Sequence, residues 1–197
     1  MMVFGILFCK AQDRDPLFHD PGIFTTFEWS AQEPLTITPQ VWIYLKDYYL
    51  EARYNYEDIR TFSLYFGKSF YVGKKSSFEI IPMIGGVVGT INGISPGFNC
   101  SLEYKRFSAS TESQYTFDLR NSDNSFYWDW TNFSFGVYKN LGVGGSVQIY
   151  LPRSGDATYT AGPMINLKFK HLLFEAFSYN IWQERPIWAF GVQYTFD

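Results

Sequence analysis

Charged side chains recur at every second position in several segments of this sequence, and they are its first candidates for chemistry. Glu51 and Arg53 are separated by one residue, and Asp118 and Arg120 repeat that spacing. Side chains alternate across a β-strand, so each pair would lie on one face of a strand. The full candidate set is Glu51, Arg53, Glu57, Glu103, Lys105, Glu112, Asp118 and Arg120.

One hairpin would bring charges from two strands together. If Ser108-Ala109 forms a two-residue loop, Lys105 faces Glu112 and Glu103 faces Gln114 across the strands. Facing acids and bases can form a structural ion-pair network, because buried charges must be paired. The alternative is a selectivity ring for small polar or cationic solutes.

Groups suited to catalysis are sparse. The sequence has two histidines, His19 and His171. His19 lies in the loop-like stretch Phe18-His19-Asp20-Pro21, and His171 follows Lys170 in a basic turn with no serine two residues on. The sequence contains no metal-ligand cluster, phosphate-binding loop or nucleophile elbow. We therefore predict no enzymatic activity, no metal and no cofactor.

Length and composition indicate one domain with a large aromatic content. The chain has 197 residues, of which 21% are aromatic, and its net charge of -3 makes nucleic acid an unsuitable partner. No run of about 18 apolar residues is present, so the sequence offers no transmembrane helix.

The first residues resemble a processed leader. Residues 3–9 are apolar, and Cys9-Lys10-Ala11 places small residues three and one positions before a cut at Gln12. We predict a signal peptide over residues 1–11 and a single β-barrel domain over 12–197; the alternative is a short first strand. After such a cut Cys100 is the remaining cysteine, so no intramolecular disulfide can form.

Almost every segment alternates with period two, and Gly, Pro, Asn, Asp and Ser dominate most of the short stretches between segments. This pattern predicts an all-β meander of twelve strands, or ten if the first segment is not a strand. The predicted strands span 23–30, 36–45, 48–57, 60–72, 78–89, 97–107, 110–120, 126–139, 142–151, 157–169, 171–182 and 187–196.

Each strand has one apolar and one polar face. Strand 48–57 sets Leu50, Tyr54 and Tyr56 against its charged residues. A soluble sandwich or barrel would turn the apolar face inward, whereas a membrane barrel turns it outward to lipid. The segments mostly run about 9–13 residues, which suits tilted strands that cross a bilayer.

Tryptophan placement favours the membrane barrel. With the N-terminus in the periplasm and twelve strands, only Trp42 lies near mid-strand. Aromatic residues at both strand ends are what membrane interfaces select, because Trp and Tyr have an apolar body and a polar tip. The predicted membrane-interface tryptophans are Trp29, Trp128, Trp130, Trp182 and Trp188.

The chain ends on WAFGVQYTFD, in which Gly191, Tyr194 and Phe196 are spaced as in a barrel-closing strand. This ending resembles the last strand of small bacterial outer-membrane β-barrel proteins, and Cys-Lys-Ala-Gln resembles leaders of Bacteroidota-type bacteria. The resemblance implies a closed antiparallel up-and-down barrel in the outer membrane. It also implies the lipid bilayer and the barrel-assembly machinery as partners, the latter recognising this ending.

Two functions fit these features. The first is a small outer-membrane barrel acting as a narrow, porin-like channel or as a structural membrane protein, with a charged lumen largely filled by side chains. The alternative is a soluble secreted β-sandwich or barrel that binds carbohydrate or lipid. The stretch Tyr127-Trp128-Asp129-Trp130 could stack on sugars, but interface anchoring is favoured because the other tryptophans share that level.

Overall fold

The computed structural model describes residues 20–31, 34–73, 76–184 and 186–196. Within these residues one antiparallel sheet closes on itself as a barrel. The predicted leader and His19 lie outside the described residues. No helix in the described part of the chain is long and apolar enough to span a membrane.

Twelve strands form the barrel, and the fourth is interrupted at Ser69. They are β1 Gly22–Ser30, β2 Thr36–Leu45, β3 Tyr48–Tyr54, β4 Phe62–Lys68 with Phe70–Gly73, β5 Ser76–Val88, β6 Gly93–Tyr104, β7 Phe107–Asp118, β8 Phe126–Tyr138, β9 Leu141–Pro152, β10 Thr158–Phe169, β11 Leu172–Tyr179 and β12 Ile187–Thr195.

Closure is made by the first and last strands. Each strand pairs with the next, and β1 pairs with β12 from Gly22↔Thr195 to Ser30↔Ile187. Both segments of β4 pair with β5. A closed sheet has no edge of unpaired backbone groups. The predicted twelve-stranded, antiparallel up-and-down barrel is confirmed.

The two ends of the barrel differ in loop length. Two-residue turns at 46–47, 105–106, 139–140 and 170–171 join strands at one end, and longer loops such as 55–61, 119–125 and 153–157 join them at the other. Lys46, Lys105 and Lys170 have positive φ angles of 62°, 56° and 50°, as tight hairpin turns require. Short periplasmic turns and longer extracellular loops are typical of outer-membrane barrels, so we call these the inner and outer ends.

The hairpin predicted at Ser108-Ala109 is wrong. The turn lies at Lys105-Arg106, and Tyr104 pairs with Phe107. Lysine and arginine carry no turn signature, but the two-residue connection obliges Lys105 to adopt a left-handed conformation. The turn is therefore displaced by three residues, and β6 begins at Gly93 rather than at residue 97.

The apolar faces of the strands point away from the barrel interior. Phe117, Ile165 and Phe190 are 48%, 52% and 53% exposed on the outer wall. The alternate residues Gln114 and Thr116 of β7 are buried on the inner face. An apolar wall around a polar interior suits a lipid environment, whereas a β-sandwich would bury its apolar faces against each other. The soluble β-sandwich alternative is therefore wrong.

Three of the five predicted interface tryptophans are exposed, two on the outer wall and Trp182 in the loop after β11. Trp29, Trp182 and Trp188 are 50%, 65% and 42% exposed, and Trp29 pairs with Trp188 where β1 meets β12. Their placement agrees with an outer aromatic belt, whose contact with lipid stays a prediction.

Trp128 and Trp130 lie inside, so their predicted membrane-interface role is wrong. Trp130 is 6% exposed, and Trp128 packs against it edge to face at 6.2 Å between ring centroids. The reason is parity: Phe133 and Phe135 point outward on β8, so even-numbered residues of this strand point inward. The sugar-stacking interpretation also fails for these two interior rings.

Candidate lumen constriction

Arg53 is the centre of a side-chain network inside the barrel. Strand β3 places Arg53 and Glu51 on the inner face, and both residues are buried. Arg53 Nη2 lies 2.8 Å from Glu51 Oε2 and 3.6 Å from Glu112 Oε2, and Nη1 donates to Gln114 Oε1 at 2.9 Å. Glu112 and Gln114 belong to β7, four strands from β3, so Arg53 connects two sectors of the wall.

Two tyrosine rings enclose the Arg53 guanidinium. Its Cζ atom lies 4.2 Å from the centre of the Tyr56 ring and 4.5 Å from that of the Tyr65 ring. Tyr65 lies against the wall at Gly85, where a Cβ atom would come within 2.5 Å of its ring. Cation–π contacts of desolvated guanidinium groups are favourable, so the rings restrain the position of Arg53. We call Glu51, Arg53, Tyr56, Tyr65, Glu112 and Gln114 the Arg53 clamp.

Tyr56 reaches the clamp because the chain leaves the wall after β3. Asn55 adopts a left-handed conformation with φ 58°, and the following loop is tied by hydrogen bonds from Asn55 N to Thr61 O and from Arg60 N to Asn55 Oδ1, both 2.8 Å. The Tyr56 hydroxyl hydrogen-bonds to Glu112. The prediction that strand 48–57 continues, with Tyr56 on its apolar outer face, is wrong because the strand ends at Tyr54 and the left-handed Asn55 breaks the alternation.

Glu57 also enters the interior from this loop. It is buried, and Tyr65 donates its hydroxyl proton to Glu57 Oε1 at 2.8 Å. Gln114 Nε2 donates to the same oxygen at 3.4 Å. Tyr56 and Glu57 together fix residues 55–61 across the outer part of the lumen.

An aromatic cluster fills the interior on the opposite side. Trp130 stacks on Phe24 at 6.0 Å and meets Phe177 edge to face at 5.6 Å. Ser146 Oγ accepts from Trp130 Nε1 at 2.9 Å and pairs with the Tyr179 hydroxyl at 2.8 Å, which satisfies both polar groups. Phe126, Phe177 and Tyr179 lie near the outer ends of their strands and are at most 2% exposed, so side chains fill the interior there.

The inner half contains open space. A vestibule of about 960 Å³ is lined by Lys105, Asn132 and Asn166, and a smaller space of about 340 Å³ lies next to Glu51 and Glu112. Acids outnumber bases around the smaller space in the described part of the chain. Its charged lining residues are Asp20, Glu51, Glu79, Glu103, Glu112, Glu175 and Lys168.

The observed register of β6 and β7 separates charged residues that were predicted to face each other. Glu103 is opposite Ser108, and Glu112 is opposite Asn99. Lys105 lies in the inner turn at the mouth of the vestibule, so the predicted facing pairs Lys105–Glu112 and Glu103–Gln114 are wrong.

Asp118 ends β7, and Arg120 lies in the outer loop that follows. Asp118 Oδ1 accepts from the backbone N–H of Arg120 at 2.9 Å, and Oδ2 accepts from Asn124 Nδ2 at 3.1 Å. Asp118 therefore orders residues 119–125. Arg120 is exposed beyond the end of β7, so it does not lie on that strand as predicted.

Sequence reasoning missed Tyr65, Glu79 and Glu175 among the interior groups. Glu79 lies between Phe78 and Ile80 in β5, and the alternation of apolar and polar residues there could have marked it as inward. Glu175 is flanked by Phe174 and Ala176 in β11, and the alternation around it carries the same signal.

Comparisons with known proteins support the fold. No protein-family model and no curated protein sequence matches this chain. Among solved structures, the KdgM porin in complex with disordered oligogalacturonate is 14% identical, covers 89% of this chain and 99% of its own, and has a TM-score of 0.58. This chain has the fold of bacterial outer-membrane porins.

Two further structures agree with the porin fold. The NanC porin is 8% identical over 89% of this chain and 100% of its own, with a TM-score of 0.59. Outer membrane protein Omp33 of Acinetobacter baumannii is 10% identical over 90% of this chain and 98% of its own, with a TM-score of 0.50. The Bacteroidota resemblance of the leader finds no support in these structures.

Proposed function

We propose that this chain is a narrow, porin-like channel of the bacterial outer membrane that favours small cationic or neutral polar solutes. The closed barrel, the apolar outer wall and the likeness to porins support this function. The observation that carries the solute class is the acid-rich lining next to Glu51 and Glu112.

Charge determines the preference. Fields from charges lining a low-dielectric cavity concentrate counter-ions there and exclude ions of the same sign. Arg53 is engaged by Glu51 and Glu112, so it offsets part of this negative charge. Glu79 and Glu175 add two further carboxyl groups to the same space. The vestibule itself has more bases than acids in its lining: Lys105, Arg106, Lys139, Lys168 and Lys170 against Glu103 and Glu175. We propose that the smaller, acid-rich space sets the preference, so that cations pass more readily than anions.

The oligogalacturonate of the KdgM complex is not the expected solute here. That molecule is a polyanion, and like charges facing each other across a binding surface disfavour association. An acidic oligosaccharide would have to pass Glu112 and Glu175. We propose that this barrel discriminates against such solutes.

A structural membrane protein is the second candidate. The aromatic cluster around Trp130 and the Arg53 clamp occupy the outer half of the interior. If these groups hold their positions, the barrel carries no current. In this case Glu51, Arg53, Glu57 and Glu112 act as a side-chain filling that stabilises the fold.

The bilayer and the assembly machinery are the proposed partners. Tyr194 and Phe196 are 40% and 45% exposed on the outer side of the closing strand, where another protein or lipid can contact them. Gly191 has a local packing requirement as well, because a Cβ atom there would lie 2.7 Å from Phe24 Cε2. We propose that Tyr194 and Phe196 act in recognition by the machinery, whereas Gly191 also serves closure.

We propose no enzymatic activity. The porin neighbours are channels rather than enzymes, which supports this proposal. His171 lies in the inner turn before β11, with its ring centroid 6.3 Å from that of Tyr194.

Ion selectivity in planar bilayers tests the channel proposal. The wild-type barrel is expected to show small conductance steps and a reversal potential that favours K⁺ over Cl⁻ in a KCl gradient. The double variant Glu112→Gln, Glu175→Gln should lose this preference. Since one charge at about 4 Å contributes about 1 kcal/mol even at the dielectric constant of water, the permeability ratio should fall about fivefold.

The matched control is Asp156→Asn, which removes an acid from an exposed outer loop and should leave the ratio unchanged. Anion preference of the wild-type barrel would contradict the proposed solute class. Inserted barrels that carry no current would favour the structural function instead.

A further inference from the structure

The outer wall carries one polar patch among apolar side chains. It consists of Thr111 and Ser113 on β7 and Asp129 and Thr131 on β8, paired as Thr111↔Thr131 and Ser113↔Asp129. These residues share the parity of the outward-facing Phe133, so they lie on the side of the wall that faces lipid. We call these four residues the outer patch.

Hydrogen bonds connect the members of the outer patch. Thr111 Oγ1 donates to Asp129 Oδ2 at 2.9 Å. Thr131 Oγ1 lies 2.9 Å from both Asp129 Oδ1 and Thr111 Oγ1, and its single proton can be donated to either. Ser113 Oγ pairs with the Tyr127 hydroxyl at 2.8 Å. Asp129 and Ser113 are buried behind the half-buried Thr111, Thr131 and Tyr127, so hydroxyl groups form the accessible part of the patch.

Lipid acyl chains cannot form hydrogen bonds with the polar groups of the outer patch. Each carboxylate oxygen of Asp129 can accept a second hydrogen bond, and each hydroxyl can both donate and accept. Ser113 and Tyr127 share one hydrogen bond between two hydroxyl groups, which leaves one proton to donate. Ionisable residues on membrane-spanning segments are rare and usually have a protein partner.

We propose that the outer patch is the contact surface between two copies of this chain in the membrane. Hydroxyl groups are complementary to themselves because each donates and accepts, so the patch can face its own copy across a two-fold axis. Ala109 lies beside the patch on the same wall, and a small residue lets two membrane proteins approach closely.

The charges of the outer wall favour this two-fold contact over a head-to-tail one. Among outward-facing residues of the described strands, Asp129 and Lys68 are the charged ones. Lys68 pairs with Tyr48, the first residue of β3 at the inner end, whereas Asp129 lies three residues from the outer end of β8. Two copies with the same orientation place these groups at different depths, so Lys68 cannot meet Asp129.

Cross-linking of the barrel in lipid nanodiscs tests this contact. With Cys9 and Cys100 changed to Ser, the variant Thr131→Cys should form a covalent dimer with a bifunctional maleimide. The matched control Ile43→Cys lies on β2, on the opposite wall, and is 41% exposed. It should remain monomeric. Equal cross-linking of both variants, or of neither, would overturn the proposal.

Native mass spectrometry gives an independent readout of the oligomeric state. The wild-type chain is expected as a dimer, and Asp129→Ala should shift it to the monomer. If Asp129→Ala does not fold, as judged by loss of the heat-dependent gel shift of intact barrels, the pair Thr111→Val and Thr131→Val removes the hydroxyls without changing shape. A monomeric wild-type chain, or dimers that persist in the folded variants, would contradict the contact.

Discussion

Arg53 is positioned by residues that are distant in sequence. Its guanidinium contacts Glu51 two residues away, Tyr65 on the next strand and Gln114 on β7. A buried charge requires such partners, because losing one of them leaves the others unpaired. Gly85 is part of this arrangement, since the Tyr65 ring occupies the space that a side chain at position 85 would need.

Gly85→Ala tests the restraint at the residue scale. The new Cβ atom would lie 2.5 Å from Tyr65 Cε1, and the ring cannot move freely because it contacts Arg53 and Glu57. Overpacking of this kind costs about 1–3 kcal/mol. Unfolding by guanidinium chloride in lipid vesicles should reveal this loss.

Gly86→Ala is the matched control, because a Cβ atom at Gly86 meets nothing within 4 Å. Its free energy of unfolding should stay within about 0.5 kcal/mol of the wild-type value. Equal losses for the two variants would show that backbone freedom, rather than ring packing, explains the glycine at position 85.

At the scale of elements, loop 55–61 connects the wall to the lumen. Strand β3 ends at Tyr54, and the left-handed Asn55 turns the chain inward. Thr90 Oγ1 donates to Ile59 O at 2.6 Å, which ties this loop to the one after β5. The loop thus carries Tyr56 and Glu57 as a preformed insert rather than as a mobile cover.

Tyr56→Ala should raise the single-channel conductance, because it removes a ring that lies over Arg53 and against Trp128. The loss of these contacts is expected to cost about 1–2 kcal/mol of stability. Tyr54→Ala is the control, since Tyr54 is exposed on the outer wall two residues earlier and its removal should not alter conductance. A Tyr56→Ala barrel with wild-type conductance would place the constriction elsewhere.

At the scale of the whole molecule, the apolar outer wall determines the environment of the protein. Ile165 lies in the middle of β10 with about half of its surface exposed, and Leu119 lies just beyond β7 in an outer loop. Both are exposed hydrophobic residues. Only Ile165 is expected to face the hydrocarbon interior.

Arginine at these two positions measures membrane depth. Ile165→Arg should reduce stability in vesicles by about 2–4 kcal/mol, whereas Leu119→Arg should cost about 1 kcal/mol or less near the interface. Denaturant unfolding followed by tryptophan fluorescence gives both values. Similar small costs for the two variants would place Ile165 outside the hydrocarbon region.

The alternation of apolar and polar residues was sufficient to predict the all-β architecture. The parity of residues 48–54 in β3 predicted which side chains lie on each face, and the count of alternating segments predicted twelve strands. Arg53 and Glu51 were recognised as interior charges for the same reason. Parity is a local property of an extended backbone, so it can be read without knowing what a strand pairs with.

Tertiary structure decided where alternation stops and which residues meet. The turn at Lys105-Arg106 and the left-handed Asn55 carry no glycine, and both are imposed by strand pairing and loop contacts that are distant in sequence. Strand pairing and closure also determine that Trp130 points inward and Asp129 points outward. They bring the residues of the Arg53 clamp together. Contacts between groups on different strands depend on register and closure, and these are settled by the sum of many pairings rather than by any one segment.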